Sequence, residues 1–409
     1  MKELYLIPAV LNLFDGAPNT NATTDSQLSA EMRTYYSDYL IDLAEPKLVH
    51  DQFGQKHPIP KNGGKTINFR KYSPLPKITS PLAEGVTPDG QKIAVSDIEA
   101  SIEQYGGYVT LSDILLLTAV DNNLVEATKL CASQAGRSLD TISREELVGG
   151  TNVQYGDESV NARHLLTGGE SEGNDYLTVD CIKRAVRALK HMNAEKINGD
   201  FVCIINPDCS YDLTNDPEWK YPHQYVDTAE MYSGEIGKIG GYRFVETTEA
   251  KIFRGADLAK NARTLSASAA STSTNISFDG GSVDANALVG RYIIVGDQKR
   301  KVISNTTTSI TVDSAVSVKD NDVIYPGEGG AKGRAVYATL VIADNAYGVT
   351  EVSGGGLEMI IKQLGSAGTG DPLNQRATAG WKATKVTKRL VEEYMVRIET
   401  CSTYDAEAN

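Results

Sequence analysis

SDILLLTAVDNNLVEATKLCASQAGRSLDTISREEL, residues 112–147, decides how the rest of the chain is read. Ser112 reads as the cap, and Asp113 falls in the first turn, where a carboxylate meets the positive end of a helix. Ile114, Leu117, Leu124, Cys131, Ala135, Leu139 and Ile142 recur at steps of three, four and seven, which is the spacing of one helical face. The pattern predicts a single helix of about 35 residues, some ~50 Å long, closed by Gly149–Gly150. Only Leu117, Leu124, Cys131 and Ser138 keep a strict seven-residue step. A helix lying across a sheet therefore fits better than a coiled coil.

Upstream, KTINFRKY (65–72) alternates Ile67 and Phe69 with polar neighbours, and KIAVSDIEASIEQYGGYVTL (92–111) alternates over a longer span. Together they predict a long β-hairpin. Its tip carries Pro74, Pro76, Pro81 and Pro88, which stiffen it and keep it from extending a sheet. Two isolated strands are marginal in water, so such a hairpin needs a surface to lie on. Before it, residues 1–28 include APNTNATTDSQ, which is polar and short of aliphatics and predicts an arm or partly disordered tail. Met32, Tyr35, Tyr36, Tyr39, Leu40 and Leu43 then mark a helix that Pro46 closes.

Downstream, Thr178 to Met192 reads as an amphipathic helix. FVCIINPDCSYDLTND (201–216) reads as a buried strand, a turn and a short helix, and GEIGKIGGYRFVETTEA (234–250) as a turn and a strand. Residues 256–330 are rich in Ser, Thr and short strands, a small β module inserted before AVYATLVIADNAYGV (335–349) resumes the earlier style. LGSAGTGDPLNQRATAGWKA (364–383) is a glycine-rich strap between two structured runs, yet it carries Pro372, Asn374, Arg376 and Trp381. Glycines allow close backbone approach, Arg376 suits carboxylates or carbonyls, and Trp381 suits anchoring in a core.

A chain of 409 residues predicts two or three domains of roughly 150 residues each. Hydrophobic content of 41% and a net charge of −13 allow a sizeable core and argue against a main task of gripping nucleic-acid phosphates. No apolar run nears the ~18 residues of a membrane span, and MKELYLIPAVLNLFDG lacks the marks of a secretory signal. Five scattered cysteines without paired spacing predict free buried thiols.

No constellation of catalytic, cofactor-binding or metal-binding residues is expected. NGGKT (62–66) lacks the earlier glycine of a phosphate loop, since Ile59 stands there, and a strand follows it. GEIGKIGG (234–241) misses the dinucleotide spacing. His50, His57, His164, His191 and His223 are far apart, and no GxSxG elbow exists. Asp208, Asp212 and Asp216 could collect a cation, but their spacing of four on a short helix reads rather as a solvated face. A chain with extended arms and few convergent polar groups points to contact with other proteins.

The order of arm, proline-tipped hairpin, long helix, α/β region and final strand resembles the tailed-phage major capsid fold named after phage Hong Kong 97. The segments LSAEMRTYYSDYLIDLAEPKLVHDQFG, IEQYGGYVTLSDIL, NPDCSYDLTNDPEW, EIGKIGGYRFVETTEAKI, NAYGVTEV and GSAGTGDPLNQRATAGWKA resemble the N-four-type podophage major capsid family. The resemblance implies an α+β fold with an N-terminal arm and helix (1–50), an extended loop (51–111), and a peripheral domain with spine helix (112–177). It further implies an axial domain (178–255 and 331–363), an inserted β-rich domain (256–330), and a return strap with a peripheral strand (364–409). The insert departs from the common core, and decoration of the outer surface is its expected role.

The function so implied is a structural shell protein of pentamers and hexamers around a double-stranded DNA genome. Its partners would be a portal and a scaffold or decoration protein, with DNA contacted weakly, no membrane, and assembly in the host bacterial cytoplasm. Arg70, Pro74, Lys77, Pro81, Asn374 and Arg376 are the candidate intersubunit residues, and Gly106–Gly107 a candidate hinge. An encapsulating shell of a host cell shares the implied fold, and a soluble α/β enzyme is the distant alternative. Portal and terminase genes alongside would separate the first two.

Overall fold

The computed structural model describes residues 20–22, 49–60, 64–72, 75–81, 85, 89–118, 123–168, 175–219, 238–239, 241–350, 356–366 and 371–408. The expected helix over 28–43 and nearly all of the arm lie outside them. The described chain forms two compact units. The first holds residues 103–138 and 353–385, and the second holds residues 48–102, 139–352 and 386–409.

In the first unit, strand Glu103–Ser112 runs antiparallel to the start of strand Arg376–Arg389, with Tyr108 opposite Gly380 and Gly107 opposite Trp381. Glu358–Lys362 pairs with the other side of that long strand. The strap expected over 364–383 is therefore a strand in its second half. Ala377, Ala379, Trp381 and Ala383 alternate on its buried face, as the period of two requires. The helix meets this face through Leu124, Ala127, Cys131 and Ala135, also buried. Small residues on both surfaces bring Cys131 Sγ within 3.7 Å of the Ala379 carbonyl. Trp381 is anchored as its type suggested, and its indole N–H donates to Gln134 Oε1 at 3.0 Å.

The single helix expected over 112–147 is two, Asp113–Thr118 and Asn123–Val148. The longer spans 26 residues, about 39 Å at 1.5 Å each. Asn123, which opens it, belongs to the residue types that favour helix starts over interiors. Ile114, expected on the buried face, is 66% exposed.

The second unit is built on a seven-stranded sheet in the order Val153–Tyr155, Met395–Thr400, Val336–Ile342, Phe201–Ile205, Tyr242–Glu246, Lys238–Ile239, with Ile252–Phe253 on the side of Val336–Ile342. Val336–Ile342 and Phe201–Ile205 are buried at every position, which explains their largely apolar composition, broken only by Thr339. Helix Val179–His191 covers one face with Ile182, Ala185, Val186 and Leu189. Leu147 and Val148, at the end of the long helix, pack on the other face with Val202, Ile204 and Leu340. Thr178 caps the covering helix by accepting from the Cys181 N–H at 3.3 Å. Asn206 caps helix Pro207–Asn215 by accepting from the Asp208 N–H at 3.0 Å, with Pro207 in the first turn where a missing N–H costs nothing.

Within this unit a closed barrel of six strands runs from Leu265 to Pro326. Its interior is filled by Ile276, Phe278, Ile293, Val302, Ile310, Val312, Val316 and Ile324, so it is a packed core with no free edge. It lies within residues 256–330, where the sequence changes composition. The hairpin also belongs to the second unit. Thr66–Tyr72 pairs with Val95–Ser101 from Thr66↔Ser101 to Tyr72↔Val95, and these two strands form a sheet of their own. It is shorter than the sequence suggested. Ile102 is buried, and its N–H donates to the Lys65 carbonyl at 2.8 Å, closing the ladder there. Glu103 onward then pairs with the long strand instead.

Candidate functional site

The base of the hairpin rests on its own unit. The Phe69 ring sits so close to Gly348 that a Cβ there would come within 3.2 Å of it. His57 meets the same ring edge-on at 5.6 Å, and Lys71 reaches Glu393 at 3.8 Å. Further out this support ends. Tyr72, Leu75, Ile78, Ile93 and Val95 are all exposed, Ile78 at 76% and Ile93 at 68%. Single exposed apolar residues are ordinary, but a group of five on one projection marks a contact surface. Arg70 pairs across the strands with Asp97 at 3.8 Å, both in solvent. Lys77 and Pro81 are exposed beside Ile78, and Pro74 lies outside the described residues. Sequence reasoning singled out the prolines and basic residues of the tip and passed over these aliphatics, although Leu75 and Ile78 in a polar, proline-rich stretch were the signal.

The outward face of the first unit's sheet carries a second candidate surface. Tyr108, Ile360, Lys362, Arg376, Thr378 and Lys382 line a groove of about 590 Å³ together with Gly106 and Gly380. The glycines are required by close approach. A Cβ at Gly106 would meet the Trp381 carbonyl at 2.7 Å, and one at Gly380 would meet Tyr108 Cβ at 2.7 Å. Gly106 and Gly107 are thus paired strand residues rather than the hinge expected of them. Gly380→Val is expected to separate these strands and lower stability by about 2 kcal/mol, read as a fall in the denaturant midpoint.

Asn374 and Arg376 sit together at the turn before the long strand. Asn374 has φ +55°, a left-handed position its type tolerates. Buried Asp371 accepts the Arg376 N–H at 2.8 Å. The Asn374 and Arg376 side chains point to solvent, and Leu373 beside them is 76% exposed. The candidate residues therefore fall into two groups, Arg70, Lys77 and Pro81 on the hairpin and Asn374 and Arg376 at the turn.

Groups that suggest chemistry are used to hold the fold. Asp208 accepts from the Tyr337 hydroxyl at 2.7 Å, Asp212 from the Thr403 N–H at 3.0 Å, and Asp216 from the Val179 N–H at 2.9 Å. The acidic row is a set of structural acceptors, not the solvated face expected. Burial, helped by Asp208, pushes the Tyr337 phenol well up. His50 is buried against Asp140, with Nδ1 2.7 Å from the carboxylate. Glu399 is fully buried between Arg163 and Arg397, with Nε of each 2.7 Å from a carboxylate oxygen. The Arg163 guanidinium also stacks 3.3 Å from the Phe253 ring centre.

No group able to hold a metal ion occurs among the described residues. No described helix is long and apolar enough to cross a membrane. All five cysteines are free and buried. Burial raises the Cys131, Cys203 and Cys209 thiols and pushes Cys401 up to about 12. Because the thiolate is the nucleophile, the native protein at pH 8 is expected to show no fast-reacting thiol with a chromogenic disulfide, and five after denaturation.

A two-stranded apolar projection, a helix-backed sheet with an outward groove and an α/β unit with a barrel define an α+β fold of the Hong Kong 97 type. Residues 129–313 match a family described as phage capsid protein. Among solved structures, the capsid of Ralstonia phage GP4 is similar, with TM-score 0.50 and 13% identity over 98% of this chain and 100% of that one. The capsid of cyanophage Pam1 is similar at TM-score 0.51 and 10% identity, over 97% and 100%. No curated protein matches the chain in sequence. Residues 129–313 are thus similar to a phage capsid family, and the chain has the fold of the phage capsid structures.

Proposed function

We propose that the subunit closes into pentamers and hexamers of an icosahedral shell around double-stranded DNA, with the distal half of each hairpin buried on an adjacent copy. The exposed row Tyr72, Leu75, Ile78, Ile93 and Val95 carries this reading, because the hairpin's own unit leaves it uncovered. The outward groove of the first unit is the proposed seat. It offers an aromatic side chain and an isoleucine, Tyr108 and Ile360, as apolar partners for the exposed row. Arg70, Lys77, Pro81, Asn374 and Arg376 are intersubunit residues on this account, and Pro74 by its place at the tip.

Each contact is modest, and repetition around a closed symmetric shell makes assembly steep. The net charge of −13 suits an inner wall that holds packaged DNA weakly and without sequence preference. A portal and a scaffold or decoration protein complete the particle, which assembles in the bacterial cytoplasm. The subtype is the N-four-type podophage family. The arm, extended loop, peripheral and axial divisions follow the boundaries given above, with the barrel toward the outer surface. Size-exclusion chromatography with negative-stain microscopy of the purified chain is expected to show closed particles or capsomers, whereas a stable monomer under all conditions would contradict the proposal.

A further inference from the structure

The barrel hangs on two linkers, one arriving after Phe253 and one leaving at Pro326. Segment Thr403–Glu407 reaches both. Arg254, on the arriving linker and 11% exposed, pairs with Asp405 at 3.2 Å and Glu407 at 3.4 Å. Its guanidinium also donates to the Asp405 and Ala406 carbonyls at 2.9 and 2.7 Å. Arg263, further along the same linker, reaches Glu407 at 3.8 Å and donates to the Gly333 carbonyl on the departing linker at 2.7 Å. On that departing side the buried Ala335 N–H donates to Asp405 Oδ1 at 2.7 Å.

The segment is itself fixed to the α/β body. Thr403 donates twice to Asp212, the Ala406 N–H donates to the Tyr337 hydroxyl at 3.1 Å, and Tyr404 meets Tyr211 edge-on at 5.4 Å. One short run of chain is thus bonded to the body, to the strand of chain entering the barrel and to the strand leaving it. Asp405 is the junction, since its carboxylate serves a guanidinium on one linker and a backbone N–H on the other.

We propose that Thr403–Glu407 is a clamp that fixes the inserted barrel on the α/β body, and that releasing it frees the barrel to reorient without unfolding either part. The clamp's ionic half is screened by salt because Glu407 and Asp405 face solvent. Its backbone half, in which the buried Ala335 N–H donates to Asp405 and the Ala406 N–H to the Tyr337 hydroxyl, is screened less. This inference does not depend on the shell assignment, since it concerns a contact within one subunit.

Hydrogen exchange on the intact chain, read by mass spectrometry, tests it with Asp405→Ala and Arg254→Ala. Asp405 is about half exposed, so its loss leaves the core packing untouched. The expected result in Asp405→Ala is at least tenfold faster exchange in 254–264 and 327–336, with Ser309–Val318 in the barrel and Phe201–Ile205 in the body unchanged. Raising salt on the unaltered protein should shift the same linkers in the same direction by a smaller factor. Linker exchange within twofold of the unaltered protein in Asp405→Ala would overturn the clamp. Equal acceleration of the linkers, the barrel and the body in that variant would also overturn it, because the segment would then support the whole fold. Should Arg254→Ala unfold, Thr403→Ala replaces it, and the same two readings decide.

Discussion

Ile78→Asp with Ile93→Asp is expected to yield a folded, soluble subunit that forms no particles. Both side chains are exposed in the free subunit, so charging them removes nothing from its own core. Exposed substitutions ordinarily stay within about 0.5 kcal/mol, so circular dichroism and the unfolding midpoint should match the unaltered protein. On the proposed docking each isoleucine is buried by an adjacent copy, at about 1.5–3 kcal/mol for full burial, and a buried unpaired carboxylate would add a further penalty. Repetition at every contact turns a few kcal/mol per subunit into loss of assembly. Particle yield by sedimentation is the readout, with a fall of at least about 100-fold expected at two decades per ~2.7 kcal/mol. Deletion of residues 74–90 should act the same way, and particles of ordinary yield from that deletion would refute the role of the hairpin.

The second large effect falls on stability. Glu399 is fully buried, with Arg163 and Arg397 around it at 21% and 11% side-chain exposure. It joins the strand Met395–Thr400 to the loop carrying Arg163, beside Phe253. Burial pulls the Arg397 guanidinium below its ordinary range, and Glu399 opposes that shift. Glu399→Ala would leave two guanidinium groups facing each other with no counter-charge. Removing one member of a buried ion pair costs about 3–5 kcal/mol, a large share of a total stability of about 5–15 kcal/mol. Chemical denaturation should show the loss as a lower midpoint at unchanged slope. Glu399→Gln, which keeps an acceptor, should lose less.

Much of the architecture was legible because the relevant patterns are local. Phe201–Ile205 is a continuous apolar run and Val336–Ile342 nearly one, with Thr339 within it, and both are buried central strands. Thr178 opens a helix where the sequence placed one, and the short helix read within 201–216 is Pro207–Asn215. The barrel was visible as a change in composition over 256–330. What failed depended on partners distant in sequence. Residues 92–111 alternate without interruption, so nothing local shows that pairing changes at Ile102 from Thr66–Tyr72 to the long strand. Gly106–Gly107 resembled a hinge until the Trp381 carbonyl appeared 2.7 Å from where a Cβ would stand. The row Asp208, Asp212 and Asp216 has a helical period but takes its meaning from Tyr337, Thr403 and Val179. The groove has no sequence signature, since it arises where Tyr108, Ile360 and Lys382 from three strands share a face.

The hairpin's environment before and after assembly is the most direct test. All five native cysteines are free and buried, so Ile93→Cys introduces a single accessible thiol on the exposed row. The account predicts rapid labelling by a maleimide in the unassembled subunit and labelling at least tenfold slower in closed particles. Equal rates in the two states would mean that the row stays in water throughout, and would contradict the claim that an adjacent copy covers it.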